Sequence, residues 1–441
     1  MEKSEIIEIL SEWNFWKDTK ETGIPRPGYC DEILDRLGLN KIVSVVGVRR
    51  SGKSTILKQV IGRLVGKTRK EDTLLVNLEE RRWLRLDLNF LNRVYESYKE
   101  IIKPTNKPYI FLDEIQKLDE WERFVRSLNE KKEANVVITG SSSKLMSKEL
   151  SSLLTGRTLD IEIFPLSFRE YLGFRGINTQ TEKDTLFSAS EIKSHFREYL
   201  EFGGFPEIVL TKDAAYKHEI LWKYFEDIIS KDTVERFKIR NPEKIEVLAK
   251  YYLTNISALH TFNSISRFLK APVETISRYS NNLETSRLIF FLKRFSFSVK
   301  EQENSPRKVY SIDHGLSNAI GFKFTEGLGK IAENIVFLEL LRRGTKSKDM
   351  SMFYWKDSSG KEVDFIIKSG VKIAALIQVC WNLDDENTKK RELRSLLKAS
   401  KKLKCKNLLV ITEHLEDKEK VNGNEIIYKP LWKWLLSNQQ S

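Results

Sequence analysis

The stretch KIVSVVGVRRSGKSTILKQVIGRL, Lys41 to Leu64, decides how the first part of this chain is read. It begins with an apolar run, Ile42 to Val46, of buried-strand type. From Gly47 to Ser54 it matches GxxxxGK(S/T), and Ile56, Leu57, Val60, Ile61 and Leu64 then recur at helical spacing. Strand, glycine loop and helix in that order form the context in which the motif cradles phosphate. Backbone N–H groups of the loop and of the helix N-terminus face the anion there. The residues Gly47, Val48, Arg49, Arg50, Ser51, Gly52, Lys53, Ser54 and Thr55 are therefore the expected binding element for a nucleotide, ATP in the first place. Lys53 would reach the β and γ phosphates, and the Ser54 hydroxyl would ligate Mg2+.

Such a loop requires a second apolar strand ending in an acid, and KPYIFLDEIQKLDEWERFVRSL supplies it: Tyr109 to Leu112, then Asp113 and Glu114. Asp113 would hold the Mg2+ hydration shell and Glu114 would polarise the attacking water. Acids at a strand-to-helix boundary are also favoured by the helix dipole. The loop upstream makes the catalytic reading the stronger one, and a paired acid points to hydrolysis rather than binding alone. In NVVITGSSSKLMSKELSSLLTGRTLDIEIF, Val136 to Ile138 reads as a core strand with the hydroxyls of Thr139, Ser141 and Ser142 at its C-terminal end. That edge of a parallel sheet faces the ligand, so Ser141 joins the expected nucleotide contacts. Leu159 to Ile163 would be the last strand. Arg157, after the glycine of LLTGR, reads either as an arginine finger for a neighbouring subunit or as a solvated helix cap.

Taken in order, GVRRSGKST, YIFLDEIQ, ITGSSSKLMSKELSSLLTGR and FPLSFREYL resemble the AAA+ ATPases of archaea and bacteria that carry a C-terminal nuclease-like domain. The resemblance covers nearly the whole chain. It implies a five-stranded parallel core, a helical lid and a homo-oligomer, often a ring. It also implies that GIPRPGY, Gly23 to Tyr29, approaches the adenine.

The fold class expected is α/β: a P-loop AAA+ parallel-sheet core with a helical lid, a winged helix and a C-terminal α/β nuclease-like domain. The boundaries are drawn at 1–180, 181–242, 243–324 and 325–441. The lid region is helical apart from the turn GGFP at Gly203 to Pro206. From Pro242 the pattern runs helix, helix, turn, helix, strand. Ile276, Tyr279 and Leu283 share one face of the third helix, and Thr275, Ser277, Arg278 and Asn281 fall mainly elsewhere. That helix suits a DNA groove, although winged helices also dock proteins. Arg287, Lys293, Arg294, Arg307 and Lys308 would add phosphate-type contacts at the wing.

In the last domain LGKIAENIVFLELLRRG is a helix offering Glu333 and Glu339. MFYWKDSSGKEVDFII and KIAALIQVCW then give two strands, with Asp364 on the first and Gln378 and Cys380 on the second. The order resembles the PD-(D/E)xK nuclease fold. Gln378 is a neutral, weak metal ligand and Cys380 cannot replace a lysine cation. The scaffold is therefore read as lacking a complete cutting site, even with Glu362, Lys361 and Lys372 close by in sequence. TKKRELRSLLKASKKLKCK, Thr388 to Lys406, is a basic helix that would track a phosphate backbone or simply be a solvated face.

The bulk numbers fit this organisation. A chain of 441 residues is too long for one core, and a net charge of +13 favours a polyanion, nucleic acid ahead of an anionic membrane. No run of about eighteen apolar residues is present to span a bilayer. The three cysteines form no CxxC pair, which suits a reducing cytoplasm and excludes a zinc or disulfide framework. The function expected is ATP binding and Mg2+-dependent hydrolysis coupled to binding or remodelling of DNA, duplex or single-stranded. The rivals are a slow nucleotide-controlled protein-docking switch and an ATP-gated nuclease.

Overall fold

The computed structural model describes residues 1–441 apart from 84–85, 141–153, 155, 322–326, 345–348, 384 and 438–441. The chain divides into two compact units, Met1–Phe164 and Pro165–Ser441.

In the first unit α1 (Lys3–Trp13) and α2 (Pro27–Leu37) precede β1 (Ile42–Gly47). There follow α3 (Lys53–Leu64), β2 (Thr73–Asn77), α4 (Leu88–Ser97), β3 (Tyr109–Asp113), α5 (Trp121–Glu130), β4 (Asn135–Thr139) and β5 (Thr158–Ile163). The five strands are parallel, in the order β2-β3-β4-β1-β5. Their near-continuous apolar sequences follow from burial on both faces. Alternate residues feed two separate cores. Ile42, Val46, Leu74, Val76, Ile110, Leu112, Val136 and Ile138 pack with α1, α4 and α5. Val43, Val45, Leu75, Phe111, Val137, Ile161 and Ile163 pack with α2 and α3. The parallel arrangement brings the C-terminal ends of β1, β3 and β4 to one edge, the edge at which open α/β sheets bind ligands.

The second unit opens with α6 (Phe168–Phe174), α7 (Glu182–Phe187), α8 (Ala189–Phe202), α9 (Pro206–Leu210) and α10 (Ala214–Asp227). The GGFP turn sits on a buried carboxylate. Asp313 accepts the N–H of Gly204 at 2.7 Å and of Gly315 at 2.9 Å, and a Cβ on Gly203 would lie 1.9 Å from its Oδ1. Next come α11 (Pro242–Thr254), β6 (Leu259–His260), α12 (Phe262–Leu269), α13 (Val273–Thr285), β7 (Ile289–Leu292), α14 (Val299–Asn304) and β8 (Arg307–Ser311). The strands form an antiparallel sheet, β6-β8-β7. Ile276, Tyr279 and Leu283 of α13 are buried, as the periodicity of that helix requires.

The unit closes with α15 (His314–Gly321), α16 (Leu328–Gly344), β9 (Met350–Lys356), β10 (Glu362–Ser369), β11 (Lys372–Val379), α17 (Glu386–Leu403), β12 (Leu408–Thr412), β13 (Asp417–Val421), β14 (Asn424–Pro430) and α18 (Leu431–Leu436). These build a six-stranded sheet, β13-β14-β12-β11-β10-β9, mixed in direction. Cys30, Cys380 and Cys405 are buried free thiols. Among the described residues no helix is long and apolar enough to cross a membrane.

Candidate functional site

At the end of β1 a Cβ on Gly47 would stand 2.3 Å from the Ile163 carbonyl oxygen, so only glycine lets the loop leave between β1 and β5. Gly52, at φ 96, takes the left-handed turn into α3. Lys53, the first residue of α3, is 6% exposed and its Nζ donates to the carbonyls of Gly47 and Val48, both at 3.2 Å. The Ser51 Oγ beside it is buried and has no hydrogen-bond partner among the described residues. An ammonium hydrogen-bonded to neutral carbonyls and a loop hydroxyl unsatisfied among the described residues fit a loop built to receive anionic oxygens.

β3 and β4 bring the acids to the same edge. Thr139, the last residue of β4, donates its hydroxyl to Asp113 Oδ1 at 2.5 Å and accepts the Glu114 N–H at 3.0 Å. One side chain therefore fixes both acids. Burial pushes the Asp113 carboxyl up, against hydrogen bonds from the Thr139 and Ser54 hydroxyls that favour its charged form. The Ser54–Asp113 contact joins the helix after the loop to the strand acid, the pair expected to hold Mg2+. Glu114 turns out of the strand at φ 57, a left-handed conformation costing a non-glycine residue about 1–2 kcal/mol. Its half-buried carboxylate accepts from the Gln116 amide.

Arg157 is not brought to this edge. Its carbonyl accepts the N–H of Ile42 at 2.9 Å, where β1 and β5 begin, and its guanidinium pairs with Glu130 at 3.0 Å. A strand of this length spans roughly 20 Å, so Arg157 lies at the opposite edge of the sheet from Lys53 of its own chain. Ser141 lies outside the described residues.

One contributor was not expected from the sequence. Arg26 is buried, donating to the Ser51 carbonyl at 2.9 Å and the Phe164 carbonyl at 3.0 Å, with its guanidinium 4.6 Å from the Tyr29 ring centre. Gln59 of α3 donates to the carbonyls of Thr22 and Ile24 and accepts the Arg26 N–H. Together they fasten the Gly23 to Tyr29 segment beside the loop. The resemblance brings the GIPRPGY segment toward the nucleotide but gives Arg26 no role of its own, and its partners are backbone atoms as far as 138 residues away.

In the second unit the acids of the last domain also meet, but around a lysine. Lys308 of β8, 2% exposed, places its Nζ 2.9 Å from Glu333 Oε1, 2.8 Å from Glu362 Oε1 and 2.8 Å from Asp364 Oδ1. Burial works to lower the Lys308 pKa, yet the carboxylates of Asp364 and Glu333 hold it well above the usual lysine value. Burial and the nearby Asp364 raise Glu333 to about 7, opposed by Lys308. This corrects the expectation for Lys308: it is an internal partner of carboxylates and offers no charge to a phosphate backbone. Three of the other wing cations are paired too, Lys293 and Arg307 with Glu303, and Arg294 with Glu301.

Glu339 pairs with Arg343 at 2.8 Å and takes no part in the pocket. Gln378 donates to Glu392 at 2.8 Å and accepts the Asp364 N–H at 3.3 Å, so it braces the strand instead of ligating an ion. Burial pushes the Cys380 thiol up to about 12, leaving it neutral at ordinary pH. Among the described residues no three His, Cys, Asp or Glu side chains are set to hold a metal ion.

The parallel sheet and the loop with its strand acids define the class: an AAA+ ATPase. The description "AAA domain" matches residues 39–172, and two domains of unknown function, DUF8612 and DUF4143, match 193–326 and 328–433. "Uncharacterized protein MJ1544" of Methanocaldococcus jannaschii is 39% identical over 409 residues, 90% of this chain and 89% of the relative. An "Uncharacterized protein" of Haemophilus influenzae is 32% identical over 419 residues, 93% and 98% of the two chains. The chain belongs to the family of these two proteins. Among solved structures, the S. cerevisiae Hsp104–ADP complex is 16% identical, covering 59% of this chain and 38% of that one, at a TM-score of 0.30.

Proposed function

We propose that the protein hydrolyses ATP and that the nucleotide cycle changes the grip of its second unit on DNA. The observation that carries the hydrolytic part is the meeting of Lys53, Ser54, Asp113, Glu114 and Thr139 at one sheet edge. Lys53 exchanges its carbonyl partners for the β and γ phosphate oxygens. Thr139 keeps Asp113 and the Glu114 backbone in register, and Glu114 accepts a proton from the attacking water. Bound Mg2+, held by Ser54 and Asp113, would neutralise charge on the phosphates. Arg157, remote from its own loop, serves a neighbouring protomer's site in a homo-oligomer.

The DNA part rests on the outer face of α13. The order helix, strand, helix, helix, strand, helix, strand over α11 to β8 supports a winged-helix reading, in which α13 would be the recognition helix. Phe262, Ser277, Arg278, Asn281 and Asn282 line an open groove of about 600 Å3 on this face. Guanidinium and amide groups of this kind pair with base edges. One observation favours the docking-switch rival: the wing cations Lys293, Arg294 and Arg307 are spent on Glu301 and Glu303.

Steady-state ATP hydrolysis with and without duplex and single-stranded DNA separates the two. Stimulation by DNA, lost in Arg278→Ala/Asn281→Ala while basal turnover persists, is the expected result. Turnover indifferent to DNA, with no DNA binding at moderate salt, would put the protein-docking switch in its place.

A further inference from the structure

The six-stranded domain gathers Glu333 from α16 and Glu362 and Asp364 from β10, and the cation among them comes from β8, outside that domain. Three carboxylate oxygens stand 2.8–2.9 Å from the Lys308 Nζ. Oxygen ligands of Ca2+ lie at about 2.3–2.6 Å, so the ammonium occupies a space that a small cation would fill after a modest contraction.

Each acid also accepts a second donor. Tyr310 donates its hydroxyl to Glu333 at 2.7 Å, the Val379 N–H reaches Asp364 at 2.9 Å, and Lys356 reaches Glu362 at 2.9 Å. Such donors offset part of the cost of burying carboxylates.

Further contacts join the two sheets around Lys308. Tyr310 stacks on Phe337 with ring centres 4.1 Å apart and planes within 5°. Asn334 exchanges two hydrogen bonds with the Ser311 backbone, at 2.7 and 3.1 Å. Beyond β7 the strand continues as a bridge to β9, with the Phe295 N–H donating to Tyr354 at 2.7 Å and the Tyr354 N–H to Lys293 at 3.1 Å. Withdrawing Lys308 would break this seam, which argues for a permanent fastening over a movable gate.

We infer that Lys308 is a fixed internal counter-ion: it stands where a divalent cation would sit among Glu333, Glu362 and Asp364, keeps such ions out, and fastens the β6-β8-β7 sheet to the six-stranded domain. The domain then works as a scaffold with no metal-dependent centre at this pocket. The inference uses the geometry of the pocket alone and stands apart from the DNA reading.

Calcium titration calorimetry on the nucleotide-free full chain tests it, with wild type, Asp364→Asn, Lys308→Met and the double variant compared. Wild type and Asp364→Asn should take up Ca2+ identically. Lys308→Met should bind one further equivalent, and adding Asp364→Asn should abolish it. If Lys308→Met is unstable on its own, a Ca2+-dependent rise in its melting temperature that the double variant lacks reports the same site. Ca2+ uptake by the wild type that Asp364→Asn removes would overturn the inference. So would a Lys308→Met chain that shows neither the extra equivalent nor the Ca2+-dependent rise.

Discussion

Two of the buried lysines, Lys53 and Lys308, sit near acids in different ways, and the difference between them separates a working site from a structural one. Lys53 is 6% exposed and held by two neutral carbonyls at 3.2 Å. Bonds from an ammonium contribute about 1.5–3 kcal/mol each, but these acceptors are neutral and can be exchanged for the anionic oxygens of a phosphate. Lys308 is 2% exposed and held by three carboxylates at 2.8–2.9 Å. Here the acceptors are carboxylates, and breaking these bonds would leave acids buried without a partner. Availability depends on the partners a buried charge already has, more than on burial itself.

The contrast can be broken in four ways. The largest effect should follow removal of the catalytic acid: Glu114→Gln is expected to cut ATP turnover by up to about 10⁴-fold while nucleotide still binds, read by steady-state hydrolysis beside a fluorescent-nucleotide titration. Arg157→Ala should lower turnover by on the order of 10³-fold. Mixing it with Lys53→Ala should recover activity, because each chain supplies what the other lacks. Failure of mixed chains to exceed either parent would remove Arg157 from the site.

Lys308→Met should cost about 3–5 kcal/mol of stability, seen as a lower melting temperature, since a buried ion pair loses one partner. Asp364→Asn in the same chain should restore part of the loss.

The smallest effect is with pH. The Glu333 carboxyl, raised to about 7 in the fold from an ordinary value of 4.5, keeps its proton where the unfolded chain has lost it. Its contribution to stability is therefore full below about pH 4.5, declines as pH rises, and is gone above about pH 7. The melting temperature of wild type relative to Glu333→Gln should fall across that window. A difference that rises with pH would contradict the assignment.

How much of this was legible in the sequence follows from the same contrast. Lys53, Ser54, Asp113 and Glu114 were readable because a strand-loop-helix motif and a strand-ending acid pair each carry their context within a few residues. Thr139 was readable as a hydroxyl at a strand end, although its double contact to Asp113 and Glu114 was not. Lys308 was read as a wing cation because its partners lie 25 and 56 residues away on other elements. A period-two reading of RKVYSI would have placed Lys308 on the same face as Tyr310, an inward aromatic, and flagged it as buried. Arg26 offered no comparable signal, since it binds backbone carbonyls that no side-chain pattern reveals.

One paired measurement tests the central claim: basal ATP hydrolysis and thermal melting of Lys53→Ala and Lys308→Met, with hydrolysis assayed below each chain's transition. Lys53→Ala should lose turnover, by about 10²–10³-fold, and keep its melting temperature. Lys308→Met should melt lower and keep basal turnover. A Lys53→Ala chain that still turns over ATP at the wild-type rate, or a Lys308→Met chain that melts with the wild type, would contradict the account.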